Sequence, residues 1–306
     1  MSFYDTKQRF LFGFVTKMSI VFPIRSLSPQ ESRVVLTLTE HGRREVARED
    51  IIRLLAVSPE SADHVIRSLR RKGWLQQASW GKYLLIPPDQ GPEALGEGNL
   101  LALASRIAEP HPYYLGYGTA AAHYGLTTQH RNTIWLVTPA RLRDRRLNDY
   151  KVRIVNPVPR KFFGFDPVDV LGYTVKMSDI EKTAIDCIDR PELCGGIGEA
   201  AAIFAAASRR CDWSKVASYL QRIASKPLTQ RCGWLADYVG AEISADARAQ
   251  ILQLASKSRK AFLGPKKAPS GAIGYDETWH LVVNVTAAEL HGSAGLGRKQ
   301  SVRKDT

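Results

Sequence analysis

Cysteine is scarce, with four residues in 306, at positions 187, 194, 211 and 232. No two of them form a CxxC pair and no histidines are interleaved with them, so the spacing fits neither a zinc site nor a redox dithiol. They read as reduced core or near-surface thiols, the pattern of a cytoplasmic protein, where disulfides are rare. Long apolar runs are also missing. The stretch "RFLFGFVTKMSIVFPI" (9–24) is interrupted by Lys17 and followed by Arg25, which leaves nothing near the ~20 residues a bilayer span needs. No small-residue cleavage site follows it, so neither a membrane nor a secretory role is expected. A glycine-rich phosphate loop and a nucleophile elbow are absent as well. We therefore expect no cofactor, no metal and no enzymatic activity. Acidic charge is the last shortage: 30 Asp and Glu against 43 Lys and Arg give a net +13, and a pI near 9.7. Such a field attracts polyanions and raises their encounter rate.

The chain is long enough for two domains, and 44% hydrophobic residues suffice for a buried core. The basic charge is not spread evenly. Residues 1–89 carry a net +5, 90–130 −2, 131–161 +7, 162–247 −3 and 248–306 +6. The block "RLRDRRLNDYKVR" (141–153) is read first as a solvated turn and strand. Arg141, Arg143, Arg145 and Arg146 make it a second candidate DNA contact.

The front of the chain carries the clearest local signals. Ser28-Pro29 opens a run with Val34, Val35 and Leu38 on one face and Gly42 as a stop. Ile51, Ile52, Leu54 and Leu55 then cluster in a short second helix. In "SPESADHVIRSLRRKGWL" (58–75), Ser58 is a good N-cap, Pro59 suits the first helical position and Glu60 meets the positive end of the helix dipole. Ala62, Val65, Ile66 and Leu69 follow the i, i+3, i+4, i+7 spacing of a buried face, and Gly73 ends the element. By the same period Ser61, His64, Arg67, Ser68 and Arg71 point away from it, with Arg70 and Lys72 on the flanks. Two helices joined by a tight turn, the second carrying donors outward, form a helix-turn-helix pattern whose second helix enters the major groove. "GWLQQASWGKYLLIPP" then reads as two strands around a turn at Ser79–Gly81, a wing on which Lys82 can reach a phosphate. The residue types assign roles: Arg67 or Arg71 bidentate to a guanine edge, His64, Ser61 and Ser68 to bases or phosphates, and Arg70, Lys72 and Lys82 to phosphates.

These signals divide the chain into an N-terminal extension (1–27), a winged helix-turn-helix (28–88), a Gly-, Pro- and acid-rich linker (89–99), an α+β domain rich in helices (100–263) and a mostly irregular segment with a basic tail (264–306). Met18 offers an alternative translation start. In the second domain an Ala-rich helix lies within 112–127, and strands fall at 133–138, at 150–155 and on either side of a turn at Asp166-Pro167. Helices dominate from Ser178 to about Lys260. Glu181, Asp186 and Asp189 along one helix are the thin candidates for acid–base or metal chemistry. The simpler reading makes Asp179 and Glu181 partners of the helix dipole and pairs Asp186 with a buried arginine.

Three blocks, "PYYLGYGTAAAHYGLTTQ" (112–129), "VKMSDIEKTAIDCIDRPELCGG" (175–196) and "QRCGWLADYVG" (230–240), resemble the signature of the AbiEi-type antitoxin family of bacterial type IV toxin-antitoxin and phage-defence systems. With the winged helix the likeness covers roughly residues 28–263. It implies an N-terminal winged helix that binds inverted repeats in the promoter of its own operon and represses it; two protomers on such a repeat would form a dimer on DNA. It also implies a second domain that counteracts a nucleotidyltransferase-like toxin. Glu181, Asp186, Arg190 and Gly196, which match the family pattern, read as structural positions. A stand-alone winged-helix transcription factor is the alternative, and a nuclease that uses the winged helix only for docking is the third reading.

Overall fold

The computed structural model describes residues 26–86, 97–129, 132–147, 149–255, 259–264 and 270–291. Nearly all of the expected N-terminal extension, most of the expected linker and the basic tail lie outside the described residues. Helices and strands are mixed, in two compact units; apart from residues 78–80, the division falls between Ala94 and Leu95. No described helix is long and apolar enough to cross a membrane.

In the first unit, helix α1 (Pro29–Glu40) starts at a capping box: the Ser28 amide donates to Glu31 Oε2 at 2.6 Å and the Glu31 amide donates to Ser28 Oγ at 3.4 Å. Strand β1 (Glu45–Ala47) follows, then helix α2 (Arg48–Leu55), which ends with Ala56 in the left-handed region at φ 52°. That residue makes the tight turn into helix α3 (Pro59–Arg71), capped by Ser58 as its sequence predicts. Gly73, at φ 74°, closes α3: the Trp74 amide donates to the Leu69 carbonyl at 2.8 Å and the Gly73 amide to that of Arg70 at 3.1 Å. These two bonds use carbonyls the helix end would otherwise leave unpaired. Strands β2 (Leu75–Ser79) and β3 (Lys82–Leu85) complete a sheet of order β1-β3-β2, with β1 and β3 antiparallel. Val34, Val35 and Leu38 of α1, Ile51 and Leu55 of α2, and Ala62, Val65, Ile66 and Leu69 of α3 form its core with Trp74, Leu75 and Leu85. The apolar stripe expected on the third helix is thus its buried face.

In the second unit, helix α4 (Glu97–Ala108), strand β4 (Tyr114–Leu115), helix α5 (Tyr117–His123) and strands β5 (Thr133–Val137), β6 (Arg145–Leu147), β7 (Tyr150–Val155), β8 (Phe165–Val170) and β9 (Tyr173–Ser178) come in that order. The strands make a six-stranded sheet of order β6-β7-β5-β4-β9-β8, in which β5/β7 and β4/β9 are parallel and the other pairs antiparallel. Asp166-Pro167 is not a turn but lies inside β8; the reversal occurs at Leu171-Gly172. Proline is tolerated there because β8 is an edge strand, where one missing donor costs no ladder bond on the open side. Apolar residues of α4, Leu100, Leu101 and Ala104, pack on Ile134, Leu136, Val152, Val175 and Met177 of the sheet.

Helices α6 (Ile180–Asp189), α7 (Ile197–Ser208), α8 (Trp213–Ile223), α9 (Lys226–Tyr238) and α10 (Ala245–Ala255) form the helical half expected from residue 178 onward. The region expected to be mostly irregular is ordered in part. Strands β10 (Ala261–Phe262), β11 (Ala272–Asp276) and β12 (Leu281–Thr286) form a second sheet of order β10-β12-β11, and helix α11 (Ala287–His291) follows. Trp279, Leu281, Val283, Val285 and Leu290 belong to the same core as α6–α10, so apolar burial orders this segment. The "QRCGWLADYVG" block grips it. The Gln230 amide nitrogen donates to the carbonyls of Arg259, Trp279 and His280 at 3.1, 2.9 and 3.1 Å, and Trp279 Nε1 donates to Asp237 at 2.8 Å. Gly233 lies under the Trp279 ring, where a Cβ atom would come within 2.2 Å of it.

Candidate nucleic-acid interface

The outer face of α3 is built by the helix period that buries its other side. Ser61, His64, Arg67, Arg70 and Arg71 are exposed. Arg67, Arg70 and Arg71 make no ion pair among the described residues. With Leu75, Gln76 and Gln77 of β2 they line one open cleft of about 410 Å³. Gln76 Oε1 is buried there and has no hydrogen-bond partner among the described residues. Three guanidinium groups with a single unsatisfied acceptor beside them suit a polyanion that also offers N–H donors, and the grooves of a nucleic acid offer both.

Ser68 and Lys72 stand differently from their neighbours. Both turn to Glu31 of α1, which is almost fully buried. Lys72 Nζ lies 2.7 Å from Glu31 Oε2, and Ser68 also hydrogen-bonds this carboxylate. Burial alone would raise the Glu31 pKa, but the Lys72 ammonium and the Ser28 amide and hydroxyl outweigh it and hold the group at about 2. The charge of Lys72 is therefore spent inside the unit, and its side chain ties α3 to α1.

Two features escape the helix-wheel reading. Arg48, at the start of α2, grips Asp63 on the outer side of α3, with Nε–Oδ1 at 2.6 Å and Nη2–Oδ2 at 2.8 Å. The Arg48 amide also receives the β2–β3 turn, donating to the Gly81 carbonyl at 2.9 Å. One residue thus joins the hairpin turn to the outer helix face. The second feature is Trp80, at the hairpin tip and 95% exposed. Lys82 is exposed on β3, opposite Ala47 in the strand register.

In the second unit, Arg145 and Arg146 lie on β6, an edge strand of the six-stranded sheet, and Arg141 and Arg143 are exposed just before it. Arg146 is 3.9 Å from Asp149, and the neighbouring Arg153 pairs with Asp144 at 2.7 Å. Charged side chains on an edge strand also block its pairing with another chain, a role that needs no nucleic acid.

The acidic candidates do not converge on a site. Glu181 accepts from the Asp212 amide at 3.0 Å and pairs with Lys215 at 3.1 Å, and Asp189 pairs with Lys161 at 2.5 Å. Asp186 is held by a lysine rather than an arginine: fully buried Lys182 lies 2.5 Å away, and Tyr114 Oη completes the cluster at 3.2 Å from Asp186 and 3.3 Å from Lys182. Burial pushes the Asp186 carboxyl above the usual range despite the ammonium beside it. Among the described residues no group of three His, Cys, Asp or Glu side chains could hold a metal ion.

No protein-family model and no curated protein matches the chain. Among solved structures it is similar to the Rv2827c protein from Mycobacterium tuberculosis, with 21% identity and a TM-score of 0.59 over 89% of this chain and 97% of that one. At this identity the likeness shows the fold alone.

Proposed function

We propose that the protein is a DNA-binding transcriptional repressor whose first unit is a winged helix, with α3 as recognition helix and the β2–β3 hairpin as wing. The observation that carries this reading is the cleft of α3 and β2, where Arg67, Arg70 and Arg71 stand unpaired beside Gln76 and Gln77. Three guanidinium groups and two side-chain amides lining one cleft offer donors and acceptors both to phosphates and to base edges. Arg67 and Arg71 read base edges, Arg70 and Lys82 hold phosphates, and His64 and Ser61 contact the groove at the helix N-terminal half.

The resemblance carried by residues 112–129, 175–196 and 230–240 extends the proposal. The DNA is the promoter of the protein's own operon, and the second unit counteracts a nucleotidyltransferase-like toxin. A stand-alone transcription factor is the competing reading, and the reading frame adjacent to the gene separates the two.

Anisotropy titration of a labelled duplex from the protein's own upstream region is the direct test. Affinity should fall steeply with salt, by about 0.9 in log K per log salt for each phosphate neutralised. An Arg67→Ala/Arg71→Ala double variant should lose the preference for that duplex over a scrambled one. A flat salt dependence would remove DNA from the reading. Co-expression with the adjacent reading frame tests the second half: growth rescue by the same double variant assigns neutralisation to a surface other than α3. If promoters with inverted repeats are bound by two protomers, half-site centres lie ~34 to 36 Å apart or a multiple of this.

A further inference from the structure

We infer that Trp80 is a DNA wedge: its indole inserts at a flexible base step beside the groove that α3 occupies. This rests on the DNA-binding reading and adds to it a second, apolar mode of contact. Trp80 is 95% exposed, more than any other large apolar residue described. An indole left in water forfeits the large apolar burial that makes tryptophan valuable in a fold. The turn does not require it, since Gly81 supplies the positive φ of 72° on which the reversal depends. The tip is nevertheless held firmly. Gly81 is bonded to the Arg48 amide, Ala47 and Lys82 are paired in register, and the Arg48 side chain is fixed to Asp63 of α3. An aromatic ring presented to solvent on a braced tip is pre-organised for an occupant.

The surroundings select duplex DNA as that occupant. Lys82 is exposed two residues along the hairpin, and the helix to which Arg48 ties the turn, α3, carries further along it Arg67, Arg70 and Arg71 without ion pairs among the described residues. A protein interface centres on a cluster of apolar anchors. Within the described residues 26–86 the only other large apolar residue exposed is Leu36, on α1. A lone ring beside an exposed lysine fits the apolar wedge that minor-groove proteins insert between base steps, partly unstacking them while cations hold the phosphates. Pyrimidine–purine steps unstack most readily and A-tracts resist, so the wedge gives specificity at a step that no hydrogen bond reads.

The test uses the full chain, wild type and with Trp80→Ala or Trp80→Phe, against two labelled 30-base-pair duplexes, one rich in TA steps and one built of A-tracts. Wild type should prefer the TA-rich duplex. Trp80→Ala should lose about ten-fold on it, within the range for one stacked base, and lose the preference, while the salt slope stays unchanged because phosphate contacts remain. Trp80→Phe should retain part of the preference. If wild type binds both duplexes with a steep salt slope and Trp80→Ala matches it, the wedge is wrong and the DNA reading stands; a partner protein would then be the occupant. If wild type binds neither duplex, both fall together.

Discussion

Arg48 holds Asp63 through two contacts of 2.6 and 2.8 Å while its own amide holds the Gly81 carbonyl at 2.9 Å. The hairpin turn and the outer face of α3 are therefore coupled through one residue at the head of α2. The pair also neutralises an arginine on the face proposed to meet DNA, and Asp63 is close enough to Arg67 to feel its charge. Under the DNA-binding proposal, Asp63 is an internal brake on non-specific binding.

Replacing that carboxylate should release the brake. Asp63→Asn frees Arg48 for a phosphate and removes a negative charge from the approach path, so affinity for any duplex should rise several-fold. The log–log salt slope should steepen by about 0.9, the contribution of one more neutralised phosphate. A drop in affinity would show that bracing the hairpin matters more than the charge.

Arg67 and Lys82 should separate reading from holding. Arg67→Ala removes a forked donor suited to a guanine edge and should cost about 1 to 3 kcal/mol on the preferred duplex, relaxing its selectivity. Lys82→Ala should weaken preferred and scrambled duplexes alike and lower the salt slope by about 0.9. Footprinting of both variants on the upstream region distinguishes them. Equal protection by wild type and Arg67→Ala removes α3 from base reading.

Lys72 should behave as a stability residue. Glu31 is held at about 2 against an ordinary 4.5, so its ionised form favours the folded state. A depressed carboxylate contributes stability that is fully present above about 4.5 and is lost as pH falls from there toward 2. The shift is equivalent to about 3 kcal/mol. Lys72→Met should cost about 2 kcal/mol or more in urea unfolding at pH 7, since it strands a buried carboxylate. It should also flatten the acid limb below pH 4.5, yet leave the salt slope of DNA binding unchanged. A slope that falls as it does for Lys82→Ala would return Lys72 to the DNA face.

The two members of that pair show where sequence reading stops. The caps, stripe and stop of α3 were legible because each depends on residues within one or two turns: Ser58, Pro59, Ala62, Val65, Ile66, Leu69 and Gly73. Ser68 and Lys72 belong to the same helix wheel, but their partner comes from α1, 37 and 41 positions earlier. Periodicity cannot name such a partner. Strand β1, three residues long, gave no alternation to read, and its place is set by pairing with β3. Pro167 reads as a turn until the sheet order makes β8 an edge. In the candidate site, the arginines were legible as types, whereas Gln76, Trp80 and the Arg48–Asp63 contact depend on how hairpin and helices meet.

The family-like block around α6 should prove structural when Lys182 and Asp186 are separated. Both are fully buried, their charges 2.5 Å apart, with Tyr114 Oη bonded to each. Removing one partner leaves the other charged or unsatisfied in an apolar site, whereas removing both leaves only a packing problem. Lys182→Met and Asp186→Leu should each cost about 3 to 5 kcal/mol in urea unfolding, and the double variant less than their sum. The α6 cluster lies in the unit proposed to act on a toxin, so the double variant also bears on that role. If it folds and still rescues growth, the cluster shapes the core alone; if it folds and fails to rescue, the buried pair is needed for the proposed neutralising role as well as for the core.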